Sequence, residues 1–277
     1  MFKIAIPKLW SNPLFKTKRR DLLIRTYLSC LNEEEKANLI PFDINISDIN
    51  QRPLLQYEEY MESCNNYLLE VGARDWLRLT TARNVDQKDL RIKQISRVLW
   101  TMFLSRSHNL KSFFYNVSKK SSVESIFPEA SMILNARHSL SNLQFLFLLT
   151  DDKLNGFREI RGPLNFLKSI PSVCSNIRDI RIYDLGSGVD NELFCDIIKS
   201  QRSIRSFGYM GNINRVITSL KAHRNSLTKL LYFFSPAVSS LEALTCFECL
   251  ESLNISNCTF TVNGNRILSS NFRNIKE

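Results

Sequence analysis

Ile180-Arg181-Ile182-Tyr183-Asp184 runs into Leu185-Gly186-Ser187-Gly188, an apolar strand ending in a glycine turn where the backbone could approach a bound cofactor. Cys246-Phe247-Glu248-Cys249 has the C-x-x-C spacing of half a zinc site or of a redox pair. Asp151-Asp152 offers two adjacent carboxylates to a cation, and His108, His138 and His223 are the imidazoles available for proton transfer near neutral pH. Each of these signals lacks its second half. No further cysteine pair stands at zinc-ligand distance from Cys246 and Cys249, which fall on an expected helix and pack as core there. Asp151-Asp152 follows a strand and opens a loop. The histidines all sit in turns just before strands, and none has an acid and a nucleophile in its register. No catalytic residue, no cofactor and no metal is expected.

The elements that must position these residues repeat. Leu250, Leu253, Ile255, Cys258 and Phe260 follow the spacing L-x-x-L-x-L-x-x-N/C-x-L, with Cys258 at the N/C position, where its side chain is expected to hydrogen-bond a turn. Leu227, Leu230 and Tyr232 stand 23 residues earlier, and Ile204, Phe207, Tyr209 and Asn212 a further 23 earlier. Weaker copies lie at Ile177, Ile180 and Ile182, at Leu143, Leu146 and Leu148, and at Leu110, Phe113 and Tyr115, spaced by 27 to 34 residues. A short Ser- or Asn-bearing turn precedes most copies, as at Ser107-His108-Asn109, Ser141-Asn142, Ser175-Asn176 and Asn225-Ser226. Before each turn comes an apolar stretch of helical period: Ile92, Ile95, Leu99, Trp100 and Phe103; Leu193, Ile197 and Ile198; Ile213, Val216, Ile217 and Leu220; Val238, Leu241, Leu244 and Phe247. The unit is therefore helix, turn, strand. One such unit buries about six or seven apolar side chains at roughly 2 kcal/mol each, while ordering its backbone costs about 1–2 kcal/mol per residue. It must stack on neighbours to fold.

The spacing resembles the leucine-rich repeat. It predicts an α/β solenoid, a horseshoe of about six irregular repeats over 51–277 with parallel strands on the concave face and helices outside, capped by N-terminal helices over 1–50. Alternate strand residues then face the concave side. Large side chains stand there where solvent is expected, and Phe114, Phe145, Phe147, Arg181, Tyr183, Met210, Lys229 and Phe233 are the candidate partner-binding residues. The alternative is that the extra residues of the longer repeats fold over this face, or that the register slips by one. Gly186 and Gly188 then only take up excess length, since their repeat is four residues longer than its 23-residue neighbours.

Composition bounds the rest. Hydrophobic residues at 44% and charged residues at 23% allow a packed core, and eight glycines with eight prolines are few for an open all-β fold. Seven irregularly spaced cysteines argue against a secreted disulfide framework. Met1–Trp10 lacks the apolar run of a signal peptide, and Leu143–Leu149 is far short of the roughly 20 residues that span a bilayer. A cytoplasmic or nuclear protein is expected, with no membrane contact. The net charge is +10, and Lys16, Lys18, Arg19 and Arg20 form the densest basic cluster. No aromatic platform interleaves it, so it reads as a solvated helix start rather than a nucleic-acid site.

Two family resemblances bear on function. Ala5-Ile6-Pro7-Lys8-Leu9-Trp10-Ser11-Asn12-Pro13 is similar to the segment that closes the F-box in fungal F-box/leucine-rich-repeat proteins. Leu22–Leu31 with Asn32-Glu33-Glu34-Glu35-Lys36 resembles the helix and acidic turn that follow it, and Pro53–Tyr57 with Tyr60-Met61-Glu62 the entry to the repeats. That resemblance implies a substrate-binding component of a cullin ubiquitin ligase, holding a protein substrate on the repeats and docking the Skp adaptor through the F-box. The L-P-x-E/D opening of the F-box has no counterpart here, so 1–50 reads as a remnant of its end plus a linker. A stand-alone repeat scaffold without ligase contact is the alternative. The second resemblance is of Ile180–Gly188 to the first motif of S-adenosylmethionine-dependent methyltransferases. Asp190 stands where the third glycine belongs, and the next strand ends in Met210-Gly211-Asn212 instead of the acid that holds the ribose.

Overall fold

The computed structural model describes residues 2–46, 49, 53–81, 90–117, 130–150, 161–184, 191–210, 216–238 and 241–260. The chain is α/β and divides into two compact units, Met1–Leu143 and Gln144–Glu277.

The first unit opens with four short helices, α1 (Phe2–Trp10), α2 (Pro13–Lys16), α3 (Arg20–Ser29) and α4 (Glu33–Ala37). Strand β1 (Ser63–Asn65), α5 (Asn66–Thr80), α6 (Leu90–Arg106), β2 (Ser112–Val117), α7 (Ala130–Asn135) and α8 (Arg137–Leu140) complete it. Asn32 and Glu35 close a capping box on α4, and the Asn65 side chain accepts from the Leu68 N–H to cap α5. Helix α5 packs on α3 through Leu69, Ala73, Trp76 and Leu77 against Leu23, Ile24, Tyr27 and Leu28, all buried. Gly72 permits that approach, since a Cβ there would lie 2.9 Å from Ile24 Cγ1. Strands β1 and β2 pair in parallel, Cys64 opposite Phe113. The sequence pattern missed β1, which at three residues is too short to carry a period.

The second unit is a parallel sheet in chain order: β3 (Phe145–Thr150), β4 (Asp179–Asp184), β5 (Ser206–Met210), β6 (Lys229–Val238) and β7 (Ser252–Phe260). Helices α9 (Arg161–Val173), α10 (Asn191–Lys199) and α11 (Ile217–Leu220) connect the first four, and a 3-10 turn, Leu241–Cys246, stands between β6 and β7. The register matches the repeat spacing. Leu146, Ile180, Phe207, Leu230 and Leu253 form one row across the sheet, and Leu148, Ile182, Tyr209, Tyr232 and Ile255 the next. Both rows are buried up to β6, and Leu253 and Ile255 on β7 are half-buried. Burial of alternate residues is why these strands form, because the shared face receives Phe166, Leu167, Phe194, Ile197, Ile198 and Val216 from the connecting segments. Each row position contributes roughly 1.5–3 kcal/mol of burial.

Polar turns tie each repeat to the one before. Ser107 Oγ donates to the Met61 carbonyl at 2.7 Å, and Ser139 Oγ to Leu104 and Ser107 carbonyls. The Gln201 amide donates to Cys174 and Ile197 carbonyls and accepts from the Ile177 N–H. Ser226 Oγ donates to Ile204, and the buried His223 donates through Nε2 to the Ile198 carbonyl at 2.9 Å. These side chains satisfy carbonyls that the short helices leave unpaired.

Three local expectations need correction. Val238 was expected to start a helical stretch with Leu241, yet β6 continues to Val238 and β7 to Phe260, across a register shift between Ser235 and Val238. Cys258 therefore stands in a strand, opposite Ser235, and not in a turn. Cys246 and Cys249 do not share a helix: Cys246 ends the 3-10 turn half-buried, while Cys249 is exposed in the following turn and donates to the Asn225 carbonyl. No helix among the described residues is long and apolar enough to cross a membrane.

Replacing Ile182 by Ala removes a fully buried row member and is expected to cost about 2–5 kcal/mol in urea unfolding, against under about 1 kcal/mol for Lys229→Ala on the opposite face. A second expectation concerns Glu70 on α5, whose carboxyl burial pushes up to about 7, with Arg74 and Lys93 pulling it back in part. Its unfolded counterpart titrates near 4.5, so the folded state holds the extra proton between those values. Stability from this group is full below the unfolded pKa and is lost as pH rises through the folded one. Glu70→Gln should flatten that decline, leaving the variant more stable than the parent at about pH 8 in denaturant titrations.

Candidate functional site

The second face of the second unit's sheet is built by the residues between the buried rows. Phe145, Asp179, Ser206, Lys229 and Ser252 make its first row, and Phe147, Arg181, Gly208, Leu231 and Asn254 its second. Leu149, Tyr183, Met210, Phe233 and Ser256 make the third. Because side chains alternate along a strand, burying the leucine and isoleucine rows forces these residues onto the other face.

Two strands dominate its chemistry. Arg181 sits centrally, its Nε and Nη2 donating to the two Asp179 oxygens at 3.3 and 3.2 Å, with the guanidinium 5.3 Å from the centre of the Phe145 ring. The ion pair is worth no more than about 1 kcal/mol at this exposure, and the cation–π contact about 0.5–1 kcal/mol. Together they fix the arginine flat on the sheet. Phe147 and Tyr183 pack ring to ring at 5.4 Å and 50°. Gly208 makes room for this layer: a Cβ there would lie 3.3 Å from Arg181 Cγ and 3.6 Å from the Tyr183 hydroxyl. Burial raises the Tyr183 phenol pKa, opposed by the Arg181 cation and reinforced by Asp179. The Ser206 Oγ is buried without a hydrogen-bond partner among the described residues.

Of the predicted residues, Phe145, Phe147, Arg181, Tyr183 and Met210 come together on this face, each half-buried, and Lys229 stands exposed at its entry row. Phe233 takes its place in register between Met210 and Ser256, and its side chain lies outside the described residues. Phe114 belongs to the first unit. There Phe15 of α2 packs edge-on to its ring at 4.9 Å, so part of that strand's face is covered by the chain's own N-terminal segment. Asp179, two residues before Arg181 on the same strand, and Gly208, opposite Arg181 in register, complete the layer.

The other candidates are placed as follows. Leu185–Asp190 and Asp151-Asp152 lie outside the described residues, and Asp184 ends β4. Described strands β3 to β7 keep chain order without the reversal at which wound sheets open a cofactor crevice. Among the described residues no group of three or more His, Cys, Asp or Glu side chains could hold a metal ion. Exposed His138 contacts the Ser105 carbonyl from α8, and exposed His108 stands in a bend. In the first unit a cleft of about 340 Å³ is lined by Cys30, Asn32, Gln56, Glu58 and Arg106. Arg106 pairs there with Glu58 and also with Glu35, while Glu58 Oε2 is buried without a hydrogen-bond partner among the described residues. Burial and Glu58 push the Cys30 thiol up, which disfavours the thiolate a nucleophile needs. Cys174 is likewise pushed up to about 12 by burial.

Compared with known proteins, the chain matches no family model, and no curated protein matches it significantly.

Arg181→Gln is expected to raise the Tyr183 phenol pKa further, because the variant loses the cation that favours tyrosinate and keeps the burial that opposes it. Tyrosine ring-carbon NMR titration, with Tyr183→Phe to assign the signal, measures it. An unchanged or lowered value would place Arg181 away from the ring.

Proposed function

We propose that this chain is a protein-recognition module of leucine-rich-repeat type, a horseshoe-like solenoid whose strand face holds a protein partner. The observation that carries the reading is the preformed layer of Phe145, Phe147, Arg181 and Tyr183 over Gly208. Large rings and an arginine held half-exposed on a rigid sheet are the residue types that anchor protein interfaces. They lose little side-chain freedom on binding, because neighbouring strands already hold them. By the resemblance of Ala5–Pro13 and the segments after it to fungal F-box/leucine-rich-repeat proteins, the partner is a substrate of a cullin ubiquitin ligase, recognised in the cytoplasm or nucleus. No reaction is assigned to the chain itself.

The second reading is a scaffold without ligase contact. It is favoured by the way the Ala5–Pro13 segment is engaged in its own unit, where Trp10 stacks on Tyr57 at 4.1 Å and meets Tyr27 edge-on. Chromatography of the full chain with purified Skp adaptor separates the two: co-elution supports the ligase reading, separate elution the scaffold.

Proximity labelling in the native cell tests recognition by this face. Phe145→Ala/Phe147→Ala is expected to remove a subset of the labelled proteins while melting close to the parent, since both rings are half-exposed. Identical labelling by parent and variant would contradict the proposal.

A further inference from the structure

The strand-entry edge of the second unit carries a cluster of cations. Arg178 and Arg205 precede β4 and β5 in equivalent positions, and the Arg205 N–H donates to the Arg178 carbonyl at 2.8 Å. Lys229 follows on β6, its N–H donating to the Arg205 carbonyl at 2.9 Å. Arg178 and Arg205 thus stand on neighbouring strands about 4.8 Å apart, while Thr228 is their counterpart on β6 and Lys229 lies one residue further on, opposite Ser206. Arg202 stands in the same turn as Arg205, three residues before it. All four are exposed, and none has a carboxylate within ion-pair distance among the described residues. Asp179, the acid of the adjoining first row, is taken by Arg181. Glu251, before β7 and opposite Thr228, is the acid at the far end of this edge.

We propose that this edge, beside the aromatic layer, binds an acidic protein segment: carboxylates engage Arg178, Arg202, Arg205 and Lys229, and the adjoining apolar side chains touch the parts of Phe145 and Phe147 that their neighbours leave exposed. The inference deepens the recognition reading above and rests on it. Exposed guanidinium groups clustered at one sheet edge suit carboxylates, which accept two parallel hydrogen bonds from each fork. Nucleic acid is the poorer fit because its bases need free ring faces for stacking. Here the Phe145 ring is occupied by Arg181, and Phe147 and Tyr183 pack against each other.

Fluorescence anisotropy of the full chain with labelled decaglutamate, decaglutamine and single-stranded oligothymidine tests it. Decaglutamate should bind, decaglutamine should not, and affinity should fall as salt is raised. Arg178→Gln/Arg205→Gln/Lys229→Gln should weaken decaglutamate at least about tenfold, and Arg178→Lys/Arg205→Lys should keep most of the affinity. Lys168→Gln/Lys199→Gln/Lys221→Gln removes the same charge from exposed helical positions of the same unit and should change binding less than about twofold. Equal losses in the two triple variants would reduce the effect to overall charge and overturn the site. Tighter oligothymidine binding that the edge variant abolishes would overturn it in favour of nucleic acid. A flat decaglutamate titration, with labelled neighbours still lost in Phe145→Ala/Phe147→Ala, removes the acidic partner alone. Unchanged labelling in that double variant removes recognition by this face.

Discussion

Alternate strand residues of the second unit must be buried together, row on row, for any of its repeats to be stable. Leu146, Ile180, Phe207 and Leu230 share one row, and Leu148, Ile182, Tyr209 and Tyr232 the next, because parallel pairing brings equivalent residues of successive repeats opposite one another. No single copy encloses these side chains, so burial depends on neighbours and the register becomes common property. A slip of one residue on any strand would turn its apolar set outward. That constraint also fixes the opposite face. Phe145, Phe147, Arg181, Tyr183 and Met210 stand together because the buried rows leave them no other side.

The polar turns make the stacking specific. A hydroxyl, amide or imidazole at the end of one helix reaches a carbonyl of the preceding repeat, as Gln201 does to Cys174 and His223 to Ile198. Buried polar groups tolerate little misplacement, so these bonds penalise other registers more than they add stability. His223 thus serves as a structural donor, although a histidine before a strand had only the look of an ordinary turn residue. Replacing Gln201 would leave the Cys174 carbonyl without its side-chain donor.

Much of this was legible in the residues themselves. The 23-residue spacing of Ile204, Leu227 and Leu250 already implied parallel strands in chain order, and alternation then named both faces. What escaped was set by contacts far apart in sequence. Phe15 covering Phe114 depends on how the N-terminal helices pack, and Gly208 acquires its part only when β5 is paired with β4. Strand β1 was too short to show a period. Val238 was read as a helix start because Val238, Leu241 and Leu244 fall at helical spacing, whereas pairing with β7 holds Val238 extended and Leu241–Cys246 forms only a 3-10 turn.

The account stands on one sheet having a sealed side and an open side, and hydroxyl-radical footprinting with residue-level mass spectrometry reads both in a single experiment on the unaltered chain. Phe145, Phe147, Tyr183 and Met210 should be oxidised in the folded protein, while Phe207, Tyr209 and Tyr232 stay protected until urea unfolds it. Oxidation of Phe207 and Tyr209 at the rate of Phe147 under folding conditions, or protection of Phe145 and Phe147 alongside them, would contradict it.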